Sequence, residues 1–426
     1  MRRKLKLFKM ILLWAFICEF LFINATSLFI LNVNGILGEE DEIKGNNDIV
    51  QIYTATSSLY GVVMSSDGQY FVARGEYEIF FFDKANYTHL WNFTAEGGSG
   101  ISVNSISISS DGDYIAEGSS NGRIHLFDRN NHTPLWYYFT QYLLYSVAIS
   151  SDGQFIAAGT GFNPVVGALF IFNRTSNTPL WNYTTGNLIS SVAISSNGQY
   201  ITAGGWDNKI YLFNRTSSTP LWSYETGSEV TSVAISSDGQ YIVGGSRDHK
   251  VYFFNRTSST PLWTYSTGYV VGQVATSSDG KFIVARGMTD KKFYVFNRTN
   301  SNPLWSYETG SEFTSVAISS DGRYIVAGSR DHLVHFFNTT SKTPLWKCDI
   351  GTVVYSVAIS SDGQYVAAVG NKNVYLIPRT YKPPPKDDFI MIIIIVITAF
   401  VALAVFLYLL YNFISKQKKY KSVRGN

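Results

Sequence analysis

Residues 231–263 read TSVAISSDGQYIVGGSRDHKVYFFNRTSSTPLW. Three apolar runs, TSVAIS (231–236), YIVGG (241–245) and VYFF (251–254), are separated by Ser-Asp-Gly, Ser-Arg-Asp-His and Asn-Arg-Thr-Ser-Ser-Thr, and a fourth opens with PLW at 261. Each run is too short for a helix, and each break carries turn chemistry, with Gly239 able to take a positive φ. The stretch predicts four short antiparallel strands. The alternation expected of a sheet with one wet face is missing from the second and third runs, so both faces of this sheet must be covered.

The period of the chain supplies the cover. SSDG or SSNG ends at Gly68, Gly112, Gly153, Gly198, Gly239, Gly280, Gly322 and Gly363, at spacings of 44, 41, 45, 41, 41, 42 and 41 residues. PLW, once HLW, ends at Trp91, Trp136, Trp181, Trp222, Trp263, Trp305 and Trp346. Residues 223–255 match 306–338 at 28 of 33 positions, which points to duplication of whole units. Radial stacking of such four-stranded sheets covers both faces, with the small Ser and Ala of the first strand at the crowded axis and the Trp and Tyr of the fourth at the rim. Eight sets of first, second and third strands meet only seven fourth strands. Residues 49–55 (IVQIYTA) fill the vacancy by pairing with 373–377. This predicts an all-β, eight-bladed β-propeller over 49–378, closed by its N-terminal strand and free of the edges an open array would leave.

The pattern V-x-S-V-A-I-S-x-D-G-x-x-I-V-A-G-S-x-D-x-x-V resembles the WD-repeat propellers, and TSSTPLW, with its late Trp, is similar to the tryptophan-docking repeats of quinoprotein propellers. Thr-Gly stands in place of Gly-His (Thr226-Gly227, Thr309-Gly310), and Phe254-Asn255 replaces the closing Trp-Asp. The resemblance implies a fold; an activity has to be argued from a site.

Charge divides the chain into three parts. Residues 36–388 hold 24 basic and 30 acidic groups, whereas the ends are basic. A body without a basic footprint is a poor nucleic-acid binder, so none is expected as a partner. Residues 1–35 begin with Arg2, Arg3, Lys4, Lys6 and Lys9 and continue apolar from Met10 to Leu31, broken by Glu19 and Asn24. That is the form of a signal peptide or a signal anchor. An acidic polar linker (36–48) leads into the propeller, and a Pro-rich linker (379–388) leaves it, with a reach of roughly 30 Å at about 3.1 Å per residue. Phe389 to Tyr411 is 23 residues without a charge. This predicts a transmembrane helix over 389–412, followed by a basic tail (413–426) held in the cytoplasm by Lys416, Lys418, Lys419, Lys421 and Arg424. The expected placement is a single-pass protein of the cell membrane with an extracellular propeller. Because the third-to-fourth-strand joint of the closing blade is where the chain both arrives and leaves, that face, the bottom, is expected to look toward the lipid.

Repeats keep what the fold needs and vary where partners dock. The fourth-to-first-strand loops and second-to-third-strand turns of the opposite face, the top, offer Tyr142, Leu143, Leu144, Phe162, Trp206, Arg247, His249, Tyr269, Arg330 and His332 as binding candidates, an aromatic and cationic set of the kind found in interaction hot spots. Asn-x-Thr recurs at Asn86, Asn131, Asn173, Asn214, Asn255, Asn297 and Asn338 in the bottom turns and at Asn92 and Asn182 in fourth strands. These nine are candidate glycosylation sites, although Asn and Thr are also good turn formers. The SSDG aspartates, such as Asp238, read as turn formers rather than calcium ligands, and Asp207, Asp248, Asp290 and Asp331 as turn stabilisers. The six dispersed histidines read as lone surface residues, and Cys348 as buried and inert.

No catalytic residue, metal or cofactor is expected. The leading reading is a non-enzymatic membrane-anchored propeller that binds a protein or a glycan. The alternative is a quinoprotein-like oxidoreductase; the resemblance implies a quinone held against a vicinal disulfide with calcium ligands in the central funnel, and Cys348 alone in the body cannot form that disulfide. A cytoplasmic WD-repeat scaffold would place both basic ends on the wrong side of the membrane.

Overall fold

A computed structural model describes residues 49–422 apart from 86, 97–99, 163–165 and 384–386. The expected signal segment, the acidic linker and Asn86 lie outside the described residues. The described strands form eight four-stranded antiparallel sheets, as expected from the repeat. In blade five they are Val230–Ile235, Tyr241–Ser246, Lys250–Asn255 and Trp263–Ser266, paired in chain order.

The apolar run VYFF is now explained. Val251 and Phe253 pack with Val271, Val274 and Ile283 of blade six, while Tyr252 and Phe254 pack with Ile210 and Leu212 of blade four. Alternate residues of one strand serve two different interblade cores, so neither face can be polar. The Ser-Asp-Gly turn is self-contained: Asp238 Oδ1 accepts from Ser236 Oγ at 2.6 Å and from Gln240 N at 2.9 Å. Gly239 sits at φ 68°, and a Cβ there would lie 2.5 Å from the Tyr200 ring of the preceding blade, so both conformation and contact require glycine.

Closure is visible at three radii. At the rim, Val50–Thr54 pairs antiparallel with Asn373–Pro378, Val50 opposite Leu376 and Thr54 opposite Asn373. Its Tyr53 packs on Phe80 and Phe82 of blade one at 5.3 and 5.5 Å and stacks on His89 at 4.9 Å. In the other blades, each fourth-strand Trp donates Nε1–H to a backbone carbonyl of the next blade, as in Trp136 to Arg174 (2.6 Å) and Trp346 to Arg379 (2.9 Å). Near the axis, the bottom turns form a circle of backbone bonds, Ser66 to Ser110, Ser110 to Ser151, Ser151 to Ser196 and onward through Ser237, Ser278 and Ser320, until Asp321 N reaches Ser361 O and Ser361 N returns to Ser66 O at 2.8 Å. The circle closes after eight turns, one from each blade.

The turns that follow the third strands take part in the same seams. Arg174 lies over the Tyr114 ring (4.2 Å), Arg256 over Tyr200 (4.1 Å), Arg379 over Tyr324 (5.1 Å) and, across the closing seam, Lys84 over Tyr365 (3.6 Å). Each cation reaches back onto the blade before it, a contact of about 0.5–2 kcal/mol.

The C-terminal helix runs Asp387–Ser422, longer at both ends than the expected span of 389–412, and continues through most of the basic tail. Within it Val396–Ile414 is long and apolar enough to cross a bilayer and is not buried by other parts of the chain. Tyr381 is 8% exposed and meets Trp346 edge-on at 5.5 Å, so residues 379–381 belong to the propeller. Five residues of sequence, 382–386, lie between them and the start of the helix at Asp387.

Candidate functional site

The top face is built on a repeated lattice. The last residue of most fourth strands, or the one just past it, is Thr, and its Oγ1 donates to a carbonyl two residues on: Thr140 to Tyr142 (2.7 Å), Thr226 to Ser228 (2.6 Å), Thr267 to Tyr269 (2.6 Å). Asp248 ties that loop to the neighbouring turn, accepting from Gly227 N at 2.7 Å, from Lys250 N at 3.0 Å and from the Tyr252 hydroxyl. Asp207 with Tyr211 (2.6 Å) and Asp290 with Tyr294 (2.8 Å) repeat the arrangement. Burial, and then donation to these carboxylates, raises the pKa of all three tyrosines. These aspartates are turn stabilisers, as the sequence suggested.

On this lattice the first residue of each second-to-third-strand turn is held by one backbone bond to the preceding loop: Trp206 to Leu188, Arg247 to Glu229, Met288 to Val270 and Arg330 to Glu312, at 2.8 to 2.9 Å. Blades four to seven therefore present Trp206, Arg247, Met288 and Arg330 as a consecutive arc. Arg247 lies 5.0 Å from the Trp206 ring, and Arg330 pairs with Glu312 at 3.1 Å. Met288, 42% exposed, was missed by the sequence reading because its turn, GMTD, shares no motif with SRDH. Phe162 and Tyr269, 58% and 51% exposed, are open on the same face, and Tyr142 and Leu143 are partly buried.

Three expectations need correction. Leu144 is 0% exposed and packs against Ala116, Ile124 and Leu126 of blade two. The first strand of blade three starts at Leu143, so Leu144 holds the interblade position taken elsewhere by Val230 or Val271 and cannot bind a partner. His125 and His335 are not surface residues; they are 1% and 0% exposed. Both replace the tyrosine that bonds the turn aspartate. His335 Nε2 lies 3.7 Å from Asp331, and His125 Nδ1 contacts the buried Glu117 carboxylate at 2.6 Å.

His249 and His332 are exposed, with φ of 72° and 73°, where blade two has Gly122 at 82°. They occupy the left-handed position of the turn. His332→Gly should therefore leave the unfolding midpoint equal or higher, whereas His332→Val should cost about 1–2 kcal/mol, read by chemical denaturation.

Cys348 is fully buried, and burial, with Asp349 nearby, pushes its thiol up to about 12, so it is a packing residue. Among the sequons, Asn214, Asn255 and Asn297 accept from the Thr two residues on through both its backbone N and its Oγ1, at 2.9 to 3.1 Å. Asn131 bonds Thr133 N alike, and Asn92 and Asn182 are exposed on the outward face of their strands.

The central channel is lined by first strands. One seryl oxygen per blade accepts from the next blade: Ser105 from Val147 N, Ser146 from Val192 N, Ser191 from Val233 N, Ser232 from Val274 N, Ser315 from Val357 N and Ser356 from Val62 N, with Gln273 Oε1 replacing the hydroxyl toward Val316 N, all at 3.0 to 3.3 Å. Gly61 is the break in this circle. A cavity of about 540 Å³ opens there, lined by Tyr60, Gly61, Arg74, Asn104, Ser105 and Gln273 among others.

Eight sheets around an axis, closed by the N-terminal strand and stitched by Trp-to-carbonyl bonds, define a propeller of the WD and quinoprotein-like type. Residues 88–128 match the WD domain, G-beta repeat, model. Residues 165–380, just over half of the chain, match the family model described as outer membrane protein assembly factor BamB, and the chain belongs to that family. No curated protein matches it.

Proposed function

We propose that this protein is a membrane-tethered interaction module, a rigid disc held with its bottom toward the lipid and its top toward a protein or glycan partner outside the cell, with no catalysis of its own. The observation that carries this reading is the opposition of two faces. Val50 and Leu376 are paired neighbours, so both chain ends of the propeller emerge at the bottom, while the arc Trp206, Arg247, Met288 and Arg330 lies on the top. Aromatic and Arg side chains on a preorganised surface are the composition that carries binding energy. Membership of an interaction-rich propeller class supports it further.

In a pulldown with the full chain in detergent, Trp206→Ala combined with Arg247→Ala is expected to weaken partner capture at least tenfold, in line with hot-spot losses of about 2 kcal/mol. Unchanged capture would remove the arc from the binding surface. Orientation has its own test: lipid cross-linking should label Asn214 more than Gly227. Glycosidase treatment of the chain from secretory cells should increase its gel mobility through Asn92, Asn131, Asn173, Asn182, Asn214, Asn255, Asn297 and Asn338; no change would argue against an extracellular body.

A further inference from the structure

At one level of the second strands, the residue facing the next blade is Gly118, Gly159, Gly204, Gly245, Gly328 or Val369 in six blades, and Arg74 or Arg286 in the other two. Small residues are explained by contact: a Cβ at Gly204 would lie 2.5 Å from Val230 of the next blade. The two arginines demand a separate account. Each donates Nη1–H to the first carbonyl of the next blade, Arg74 to Val103 at 2.7 Å and Arg286 to Phe313 at 3.0 Å. In other seams a neutral side chain does this, as when Asn104 Nδ2 bonds Leu144 O. A structural bond alone therefore does not require a charge.

The two differ in what surrounds them. Burial lowers both guanidinium pKa values to about 10, so both stay charged at neutral pH, but Glu312 and Asp290 act on Arg286, whereas the group acting on Arg74 is the Tyr60 phenol. No carboxylate among the described residues forms an ion pair with either guanidinium, and of the two only Arg74 lines the channel cavity. Its side chain crosses the place where a Gly61 side chain would stand, since a Cβ there would lie 2.6 Å from Nε. It thus reaches the wall of the 540 Å³ cavity at the single gap in the seryl circle. Tyr60 and Asn104 flank it, and Ser105 and Gln273 add neutral hydrogen-bonding groups along the wall. A mostly buried guanidinium without a counter-charge is unfavourable, and a planar oxyanion satisfies it in bidentate fashion. The cavity is of the size that takes small molecules.

We propose that Arg74 marks a binding site in the channel wall for a small molecule bearing an oxyanion, a carboxylate or a phosphate, which the guanidinium pairs with while Tyr60 and Asn104 orient it. The site is independent of the top-face arc.

The test is calorimetric titration of the full chain in uncharged detergent and low-chloride buffer with inorganic phosphate and, separately, with acetate, so that the two oxyanion sources are told apart. Saturable 1:1 binding of at least one is expected. Arg74→Met should weaken it at least tenfold, and Arg286→Met should not change it. With no anion present, Arg74→Met should unfold no earlier than wild type, because it removes the unpaired charge. If that variant does not fold, Arg74→Lys reads the same site: charge is kept, the planar fork is lost, and affinity should fall at least threefold. Absence of saturable binding by either anion, equal loss in Arg286→Met, or unchanged binding in Arg74→Met or Arg74→Lys would each overturn the assignment.

Discussion

Deletion of residues 49–55 is expected to prevent a stable closed ring. Blade eight would keep three strands, and the edge of Asn373–Pro378 would lose its partner. Val50, Ile52 and Tyr53 are partly buried and Ala55 is buried, so at about half the 1.5–3 kcal/mol of a fully buried side chain the three large ones alone contribute roughly 2–4.5 kcal/mol. That is a large share of a typical stability of about 5–15 kcal/mol. The bared edge also invites pairing with a second chain. Size-exclusion chromatography and circular dichroism of the deleted protein should show aggregate or a broad early transition. A monomer unfolding at the midpoint of the intact chain would mean the ring holds without its clasp.

The second large effect is expected at Trp346. It is 5% exposed, stacks on Phe336 at 4.7 Å with rings nearly parallel, and bonds Arg379 O across the seam between blades seven and eight. Trp346→Ala should cost about 3–5 kcal/mol, from the lost ring and the cavity it leaves. Trp346→Phe keeps most of the ring and loses the Nε1–H donor, so about 1 kcal/mol is expected, plus any cost of leaving the Arg379 carbonyl unpaired. Leu345, 56% exposed on the outward face of the same strand, serves as the control: Leu345→Ala should stay within about 0.5 kcal/mol. Urea denaturation reads all three, and a Trp346→Ala loss no larger than that of Leu345→Ala would refute the seam.

Blade number and closure were legible because turns repeat. Every SSDG fixes a first-to-second-strand joint, and the count of fourth strands falls one short, so the role of residues 49–55 followed from sequence alone. Side-chain placement was less legible. Leu144 was misread because QYLLY has no marker for where the loop stops, and one residue of difference turns a docking side chain into a core one. His335 could have been found: residues 223–255 and 306–338 align it with Tyr252, whose position within VYFF is buried. Arg74 could not. Its alignment with Gly245 marks an oddity, but only the fold shows that it passes over Gly61 into the channel.

Tyr381 and Arg379 give the leash a mechanical meaning. Any pull on the C-terminal helix meets the Tyr381–Trp346 and Arg379–Tyr324 contacts before it reaches a strand. Those contacts fasten blade eight to blade seven, so tension is shared by two sectors instead of peeling one strand from its neighbour. Force applied at this end would therefore have to open a seam between sectors before any strand came away.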